Sequence, residues 1–445
     1  SRPQRRPERL LAVIQATGFS RWSIDMKVLI VNISDIQGGA ARAAYRLHKA
    51  LQGQNIDSQM LVQSKSSDDF TVRTLSKTKI QKGIGLLRPM LDNIPTKFYK
   101  NKTKTLFSSS WLGFSNIVDK INEINPDIVH LHWICGGMMR FEDIARIKAP
   151  IVWTLHDMWA FTGGCHYDEE CKGYEKECGS CKVLGSEKEN DLSKKIFNRK
   201  QKIFNQKENM TIVGVSKWLS NCSRNSTLLG NIRTLTLPNP LDTNTFKPSD
   251  KEKSRELWSL PKYKKLVLFG AIGGSNDFRK GFKELCEALH KLEDKDIELV
   301  VFGSIKPEIE LDFGFKTHYL GHLHDDVSLV TLYSAADVMI VPSLQEAFGQ
   351  TASESMACGT PVVAFGHTGL LDIIDHKKNG YLAKPFSTDD LACGIEWILN
   401  TDNFGELCTN AREKVMREFD SVVVAKKYIE LYKDTLKDEQ CSMSK

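Results

Sequence analysis

From residue 27 the chain reads KVLIVN, an almost unbroken apolar run. Such runs suit strands that are buried on both faces of a parallel sheet. The next segment places Ala40, Ala44, Leu47 and Leu51 on one face of a helix. DIVHLHW (127–133), IVWTLHD (151–157) and TIVGV (211–215) repeat the strand signal, and Ser216 is a good N-cap for the helix that follows. This alternation predicts a parallel sheet covered by helices. It stops at LPNPLDTNTFKPSD (237–250), where three prolines and no periodicity predict a linker. It restarts with KLVLFGA (265–271), ELVVFG (298–303), DVMIVP (337–342) and PVVAF (361–365). Helices are expected between these strands, including one over 281–292, and 389–437 reads as wholly helical. The expected division is an N-terminal domain 26–238, a linker 239–250, a second domain 251–415 and a C-terminal helix and tail 416–445. Each half reads as an α/β, Rossmann-like, doubly wound sheet, so the site is expected in a cleft between the two.

The length of 445 residues agrees with two cores rather than one. No run approaches the roughly 18–20 apolar residues of a membrane span. Ser1–Asp25 is rich in arginine and precedes Met26; it reads as an upstream or non-native segment, with Met26 as the natural start. Its five arginines against Glu8 and Asp25 supply +3 of the net +6 charge. The remaining excess does not mark a nucleic-acid partner, and none is expected.

Ser76–Lys104 departs from the alternation. It holds eight Lys or Arg against Asp92, with Ile80, Ile84, Leu87, Leu91 and Ile94 three or four apart. One reading is a basic amphipathic segment lying on an anionic membrane surface. The other is a surface helix with a solvated basic face. Pro89 and Pro95 limit the length of any helix here.

The clearest chemistry lies in VPSLQEAFGQTASESMACGTPVVAF (341–365). A strand ends near Pro342, a loop carries Glu346, and a helix starts near Gly349. The first turn of a helix offers free N–H groups and the positive end of its dipole, which suits a diphosphate. Gly349 lets phosphate approach the backbone. Glu354, just over one turn in, is placed to accept from ribose hydroxyls, and Glu346 sits where a sugar would lie. Taken by spacing alone, the two glutamates could equally be solvated surface residues.

The segment EAFGQTASE (346–354), followed by ACGTPVV, resembles the signature of glycosyltransferase family 4, retaining enzymes of the GT-B fold. PNPLDTNTFKP resembles that family's linker, YLGHLHDDVSLVTLYSAADVMIVPS (319–343) its base-binding loop with the following helix and strand, and QGGAARAAYRL (37–47) its N-terminal glycine loop. The resemblance covers nearly the whole chain from Met26 and implies that the C-terminal helices cross back to the N-terminal domain. It implies a nucleotide-sugar donor, UDP- or GDP-linked, and a glycan or lipid-linked acceptor. It implies that Glu354 binds ribose, that Glu346 contacts the transferred sugar, and that Lys280 in FRKGF neutralises the donor phosphates with help from Arg279. Gly38, Gly39, Phe348, Gly349, Gln350 and Thr351 would lie around the donor, and His156 in TLHD would touch the sugar. Where many members carry Arg at the end of the preceding strand, this chain has Ala271, so Arg279 is the candidate substitute. The family needs no catalytic metal, and Asp294-Lys295-Asp296 is expected to be a solvated turn. Gly38-Gly39 is not the glycine pattern of dinucleotide binding, so a nicotinamide enzyme is disfavoured. A nucleotide-sugar 2-epimerase and a non-catalytic sugar-nucleotide-binding subunit are the alternatives. The implied location is cytoplasmic, on the inner face of the membrane if 76–104 binds it.

GGCHYDEECKGYEKECGSCK (163–182) gathers Cys165, Cys171, Cys178 and Cys181. Four thiolates in one loop could form a structural zinc site, although only the last pair has usual ligand spacing. Two disulfides or four free thiols are the other readings. The insertion follows His156, so it is expected on the acceptor side.

Overall fold

The computed structural model describes residues 26–443 except 77, 114, 208, 271–276, 295, 304–312 and 324. The segment 1–25 and Ala271 therefore lie outside the described residues.

Two parallel sheets face each other. The first contains β1 (Lys27–Ser34), β2 (Asp57–Ser64), β3 (Val72–Thr74), β4 (Ile128–Leu131), β5 (Ile151–Leu155), β6 (Met210–Gly214) and β7 (Thr234–Thr236), in the order β3-β2-β1-β4-β5-β6-β7. The second contains β8 (Lys265–Gly270), β9 (Ile297–Phe302), β10 (Thr317–Tyr319), β11 (Val338–Val341), β12 (Val362–Phe365) and β13 (Gly380–Ala383), in the order β10-β9-β8-β11-β12-β13. In both sheets the order reverses beside the first strand, between β1 and β4 and between β8 and β11. A crevice opens at such a point outside the carboxyl ends of the strands. β2, β3, β7, β10 and β13 were not foreseen. Several are short edge strands, and DSQMLVQS in β2 mixes polar with apolar residues.

The C-terminal stretch is three helices, Thr388–Asn400, Phe404–Glu418 and Ser421–Met443, not one continuous segment. The last crosses to the first domain. Val424, Tyr428 and Tyr432 share a buried cluster with Val28 and Ile30 of β1 and Val152 of β5. Two hydroxyls fix its register: Tyr432 lies 2.7 Å from Nδ1 of His130, and Tyr428 3.0 Å from Thr154. Both tyrosines are fully buried, so these bonds satisfy groups that water cannot reach. At the hinge end, Arg412 donates to the carbonyls of Thr243 (2.7 Å) and Ala357 (2.9 Å), tying the linker to the second domain.

In the basic segment, Lys79–Asp92 is a helix with a complete capping box between Thr78 and Gln81. Pro89 lies inside it and removes the hydrogen bond to the carbonyl of Gly85. Gln63 Nε2 donates to that carbonyl at 3.3 Å instead. The buried Asp92 then accepts from the N–H groups of Ser110 and Trp111, pinning the helix end to the body.

Candidate functional site

A cavity of about 300 Å³ lies between the carboxyl ends of the two sheets. Gly39 and Ala40 reach it just after β1, His156 just after β5, and Gly270 at the end of β8. Its other wall is the segment after β11, from Ser343 through Glu346 to Thr351. Among the expected site residues, Gly39, His156, Lys280, Glu346, Phe348, Gly349, Gln350 and Thr351 all line it.

Glu346 is the only carboxylate among the described residues on the cavity wall. Its Oε2 accepts from Lys280 Nζ at 2.6 Å and from Ser343 Oγ at 3.2 Å. Burial pushes the Glu346 carboxyl up, but the Lys280 ammonium, helped by Arg279, holds it below its usual range. Glu346 is therefore anionic at neutral pH. Lys280 stands 41% exposed, so an incoming phosphate can share its charge.

Gly349 caps the helix Gln350–Ala357 with φ 106°. A Cβ there would lie 2.7 Å from Leu370 Cδ2, so both conformation and packing require glycine. The start of this helix faces the cavity through Gln350 and Thr351. Gly38, at φ 91°, plays the matching part before helix Gly39–Gly53. Gln350 Nε2 donates across the cleft to the Gly39 carbonyl at 2.7 Å, joining the two glycine turns.

His156 is half-buried against His132, with Nε2 of the first 2.9 Å from Nδ1 of the second. His132 in turn packs on His130, with centroids 4.3 Å apart. Burial pushes His156 down to about 4 and His130 to about 3. The cavity thus has a neutral imidazole, a hydrogen-bonding partner rather than a charge.

Two expected donor ligands are placed elsewhere. Glu354 is buried, and its carboxylate is already engaged: Arg46 Nη1 donates to Oε1 at 2.8 Å and the Tyr333 hydroxyl to Oε2 at 3.0 Å. It does not line the cavity. The physical reason is that a carboxylate on the inner face of the helix meets a cation from the other domain. Arg279 donates to Asp277 Oδ2 at 2.6 Å and lies 3.8 Å over the Tyr167 ring. It lines a neighbouring cavity and so does not stand in for a phosphate ligand at position 271 in this arrangement. Its turn, Phe278–Lys280, is a 3-10 helix, which sends Lys280 to one cavity and Arg279 to the other.

The cysteine-rich insertion packs beside this centre. Asp168, also buried, accepts from Gln345 Nε2 at 3.1 Å, next to Glu346. Asp157 accepts from His166 at 2.7 Å and from Trp133 Nε1 at 2.9 Å, holding the base of the loop. The four cysteines are free thiols. Cys165 is buried and bridges to Phe107, whereas Cys171 is exposed. Among the described residues no group of three or more His, Cys, Asp or Glu is placed to hold a metal ion. Asp294 and Asp296 pair instead with Lys265 and Lys264, at 2.8 and 2.7 Å.

Arg46, Tyr333, Tyr167 and Asp168 were missed at the sequence level. Each acts across a long stretch of chain, and no local spacing announces such a contact.

Residues 250–416 match the family model described as Glycosyl transferases group 1. An uncharacterized glycosyltransferase of Methanocaldococcus jannaschii is 28% identical over 326 residues, which is 69% of this chain and 75% of the relative. A putative colanic acid biosynthesis glycosyl transferase of Escherichia coli is 22% identical over 349 residues, 76% and 83% of the two chains. An Anabaena protein solved in complex with UDP and glucose superposes with a TM-score of 0.61 at 17% identity, covering 92% of this chain and all (100%) of that one. The second domain thus carries a group 1 glycosyltransferase match over residues 250–416, and the two facing parallel sheets around one cavity are the architecture of the GT-B fold.

Proposed function

We propose that the protein transfers a sugar from a nucleotide-sugar donor to a hydroxyl of a glycan or lipid-linked acceptor, with retention of anomeric configuration, in cell-surface polysaccharide or glycolipid assembly. The observation that carries this reading is the Lys280–Glu346 pair set beside the Gly349 helix start on one cavity wall. A diphosphate leaving group develops negative charge as the bond from the anomeric carbon to its oxygen breaks. The helix start and Lys280 meet that charge, and such preorganised groups supply much of the rate of a transfer reaction. Glu346, bonded to Lys280 on the same wall, would face the positive charge that develops on the sugar. Only one carboxylate among the described residues, Glu346, lines the cavity, and its bond to Lys280 favours a transfer without a covalent sugar–enzyme intermediate. Retention then follows from attack on the face the diphosphate leaves, with the acceptor proton passing to the departing phosphate oxygen. The UDP and glucose held by the Anabaena neighbour favour a UDP-sugar, and the E. coli relative favours a polysaccharide acceptor.

The test is donor turnover. UDP release from UDP-sugars by the full chain, lost about a hundredfold or more in Glu346→Ala and Lys280→Ala, is the expected result. Nucleotide binding without any turnover would favour the non-catalytic subunit.

The segment around helix Lys79–Asp92 supports a peripheral membrane contact for the same enzyme. Ile80 (77%), Leu86 (74%) and Phe98 (81%) stand exposed, with Lys79, Lys97 and Lys100 exposed beside them. Arg88 does not take part, since it donates to the carbonyls of Gly137 and Gly113 at 2.6 and 3.0 Å. No helix among the described residues is long and apolar enough to cross a membrane, so this surface would be the means of contact. Co-sedimentation with phosphatidylglycerol vesicles should fall at least tenfold in Ile84→Glu/Leu87→Glu. Unchanged sedimentation would remove the membrane reading.

A further inference from the structure

A second cavity, of about 260 Å³, lies between the cysteine-rich insertion and the second domain. It adjoins the reaction centre through two short links. Phe278 on its wall is two residues from Lys280, and the 344–346 turn carries Glu346 on its other side. Its lining combines three kinds of group. Phe278 and Phe386 are 50% and 43% exposed, an arrangement that leaves large apolar rings facing water. Glu170, Glu284 and His367 make no side-chain hydrogen bond or ion pair among the described residues, so their polar atoms are open to a ligand. Arg279 closes the floor, already held by Asp277 and the Tyr167 ring.

The wall is built rather than loose. Glu169 and Glu170 both have left-handed backbone, at φ 46° and 64°, a conformation that costs free energy for residues other than glycine. Asp168 holds it: Oδ1 accepts from the Glu170 N–H at 3.2 Å and Oδ2 from the Lys172 N–H at 3.1 Å. The same Asp168 takes the bond from Gln345, so the wall is referenced to the catalytic turn across the domain boundary.

Open aromatic rings beside open carboxylates and an imidazole match one ligand chemistry well. A pyranose presents a C–H face that packs on an aromatic ring and hydroxyls that donate to carboxylates. A phosphate is disfavoured, because the carboxylates of Glu170 and Glu284 are unpaired while the cations on the wall are engaged, Arg279 by Asp277 and Lys182 by the Glu169 carbonyl at 2.8 Å. We propose that this cavity is a subsite for a neutral saccharide, packed on Phe278 and Phe386 and hydrogen-bonded by Glu170, Glu284 and His367. Resting on the transferase reading, the sugar it holds is a unit of the acceptor glycan, next to the one that receives the transferred sugar.

The test is capture of neutral hexose and N-acetylhexosamine oligosaccharides on a printed array by the labelled full chain, without donor. Wild type should bind a subset of them. Phe386→Asn, which suits the left-handed backbone at that position (φ 64°), and Glu170→Gln should each weaken that binding at least tenfold. Phe386→Tyr should keep it, and unchanged thermal unfolding would show that the variants fold. Capture should persist in Glu346→Ala, since this site is separate from the donor pair. No capture by wild type, capture restricted to acidic sugars, or capture indifferent to Phe386→Asn and Glu170→Gln would each overturn the proposal. Capture that behaves as expected in a protein that never turns over a UDP- or GDP-sugar would leave the subsite standing and sink the transferase reading instead.

Discussion

Glu354 shows how much a single residue's role depends on its partner. In sequence it is a carboxylate one turn into a phosphate-facing helix. In the structure it is the buried half of a bridge to Arg46, with side chains 5% and 11% exposed. Removing one member of such a pair leaves the other charge in a poor solvent. Glu354→Ala should therefore lower the unfolding free energy by about 3–5 kcal/mol, measured by urea denaturation. A change below about 1 kcal/mol would mean that Arg46 finds water or another acceptor. For Glu354 to hold a ribose, Arg46 must first let go, so the bridge and the nucleotide compete for one carboxylate.

Among elements, the C-terminal helix Ser421–Met443 carries the most consequence. It starts after the second domain and supplies core to the first. Its tyrosines bond to His130 and Thr154, on the strands that lead into His132 and His156. Tyr432→Phe keeps the packing and drops one buried hydrogen bond, leaving His130 Nδ1 unpaired, at a cost of about 1–3 kcal/mol. Deleting 421–443 strips cover from β1 and β5, and the first domain should lose its cooperative transition by circular dichroism. A normal melt of the truncated chain would show that the helix is an ornament to the fold. Its apolar spacing was legible in the sequence as helix, and its return to the first domain was implied by the family resemblance; the hydroxyl partners that fix it there were not.

At the scale of the whole molecule, buried histidines link stability to pH. His48 and His156 are pushed down to about 4, and His130 to about 3, in each case by burial. Each is neutral in the fold but titrates near 6.5 in the unfolded chain. Between those values the unfolded state binds more protons. The stabilisation is complete above about pH 6.5 and is lost as pH falls toward 4, by up to roughly 1.4 kcal/mol per pH unit for each histidine. Urea midpoints should be flat from pH 7 to 8 and fall steeply from 6.5 to 4.5. A flat profile through the acid range would mean that these rings reach water.

The sequence alone determined the periodic features. Buried parallel strands leave apolar runs, a linker leaves prolines, and a cavity-facing turn leaves Gly349 near Glu346, because each is a demand made by neighbours in the chain. Lys280 was legible as well, through its motif. Tertiary structure alone decided which groups meet: that Lys280 bonds Glu346 while Arg279 turns to Tyr167, that Glu354 bonds Arg46, and that the cysteine loop forms the wall of a second cavity. These pairings depend on how two separately folded sheets are set against each other. A contact across 308 residues leaves no local pattern, since many partners satisfy the same charge and only the packing of the domains selects one.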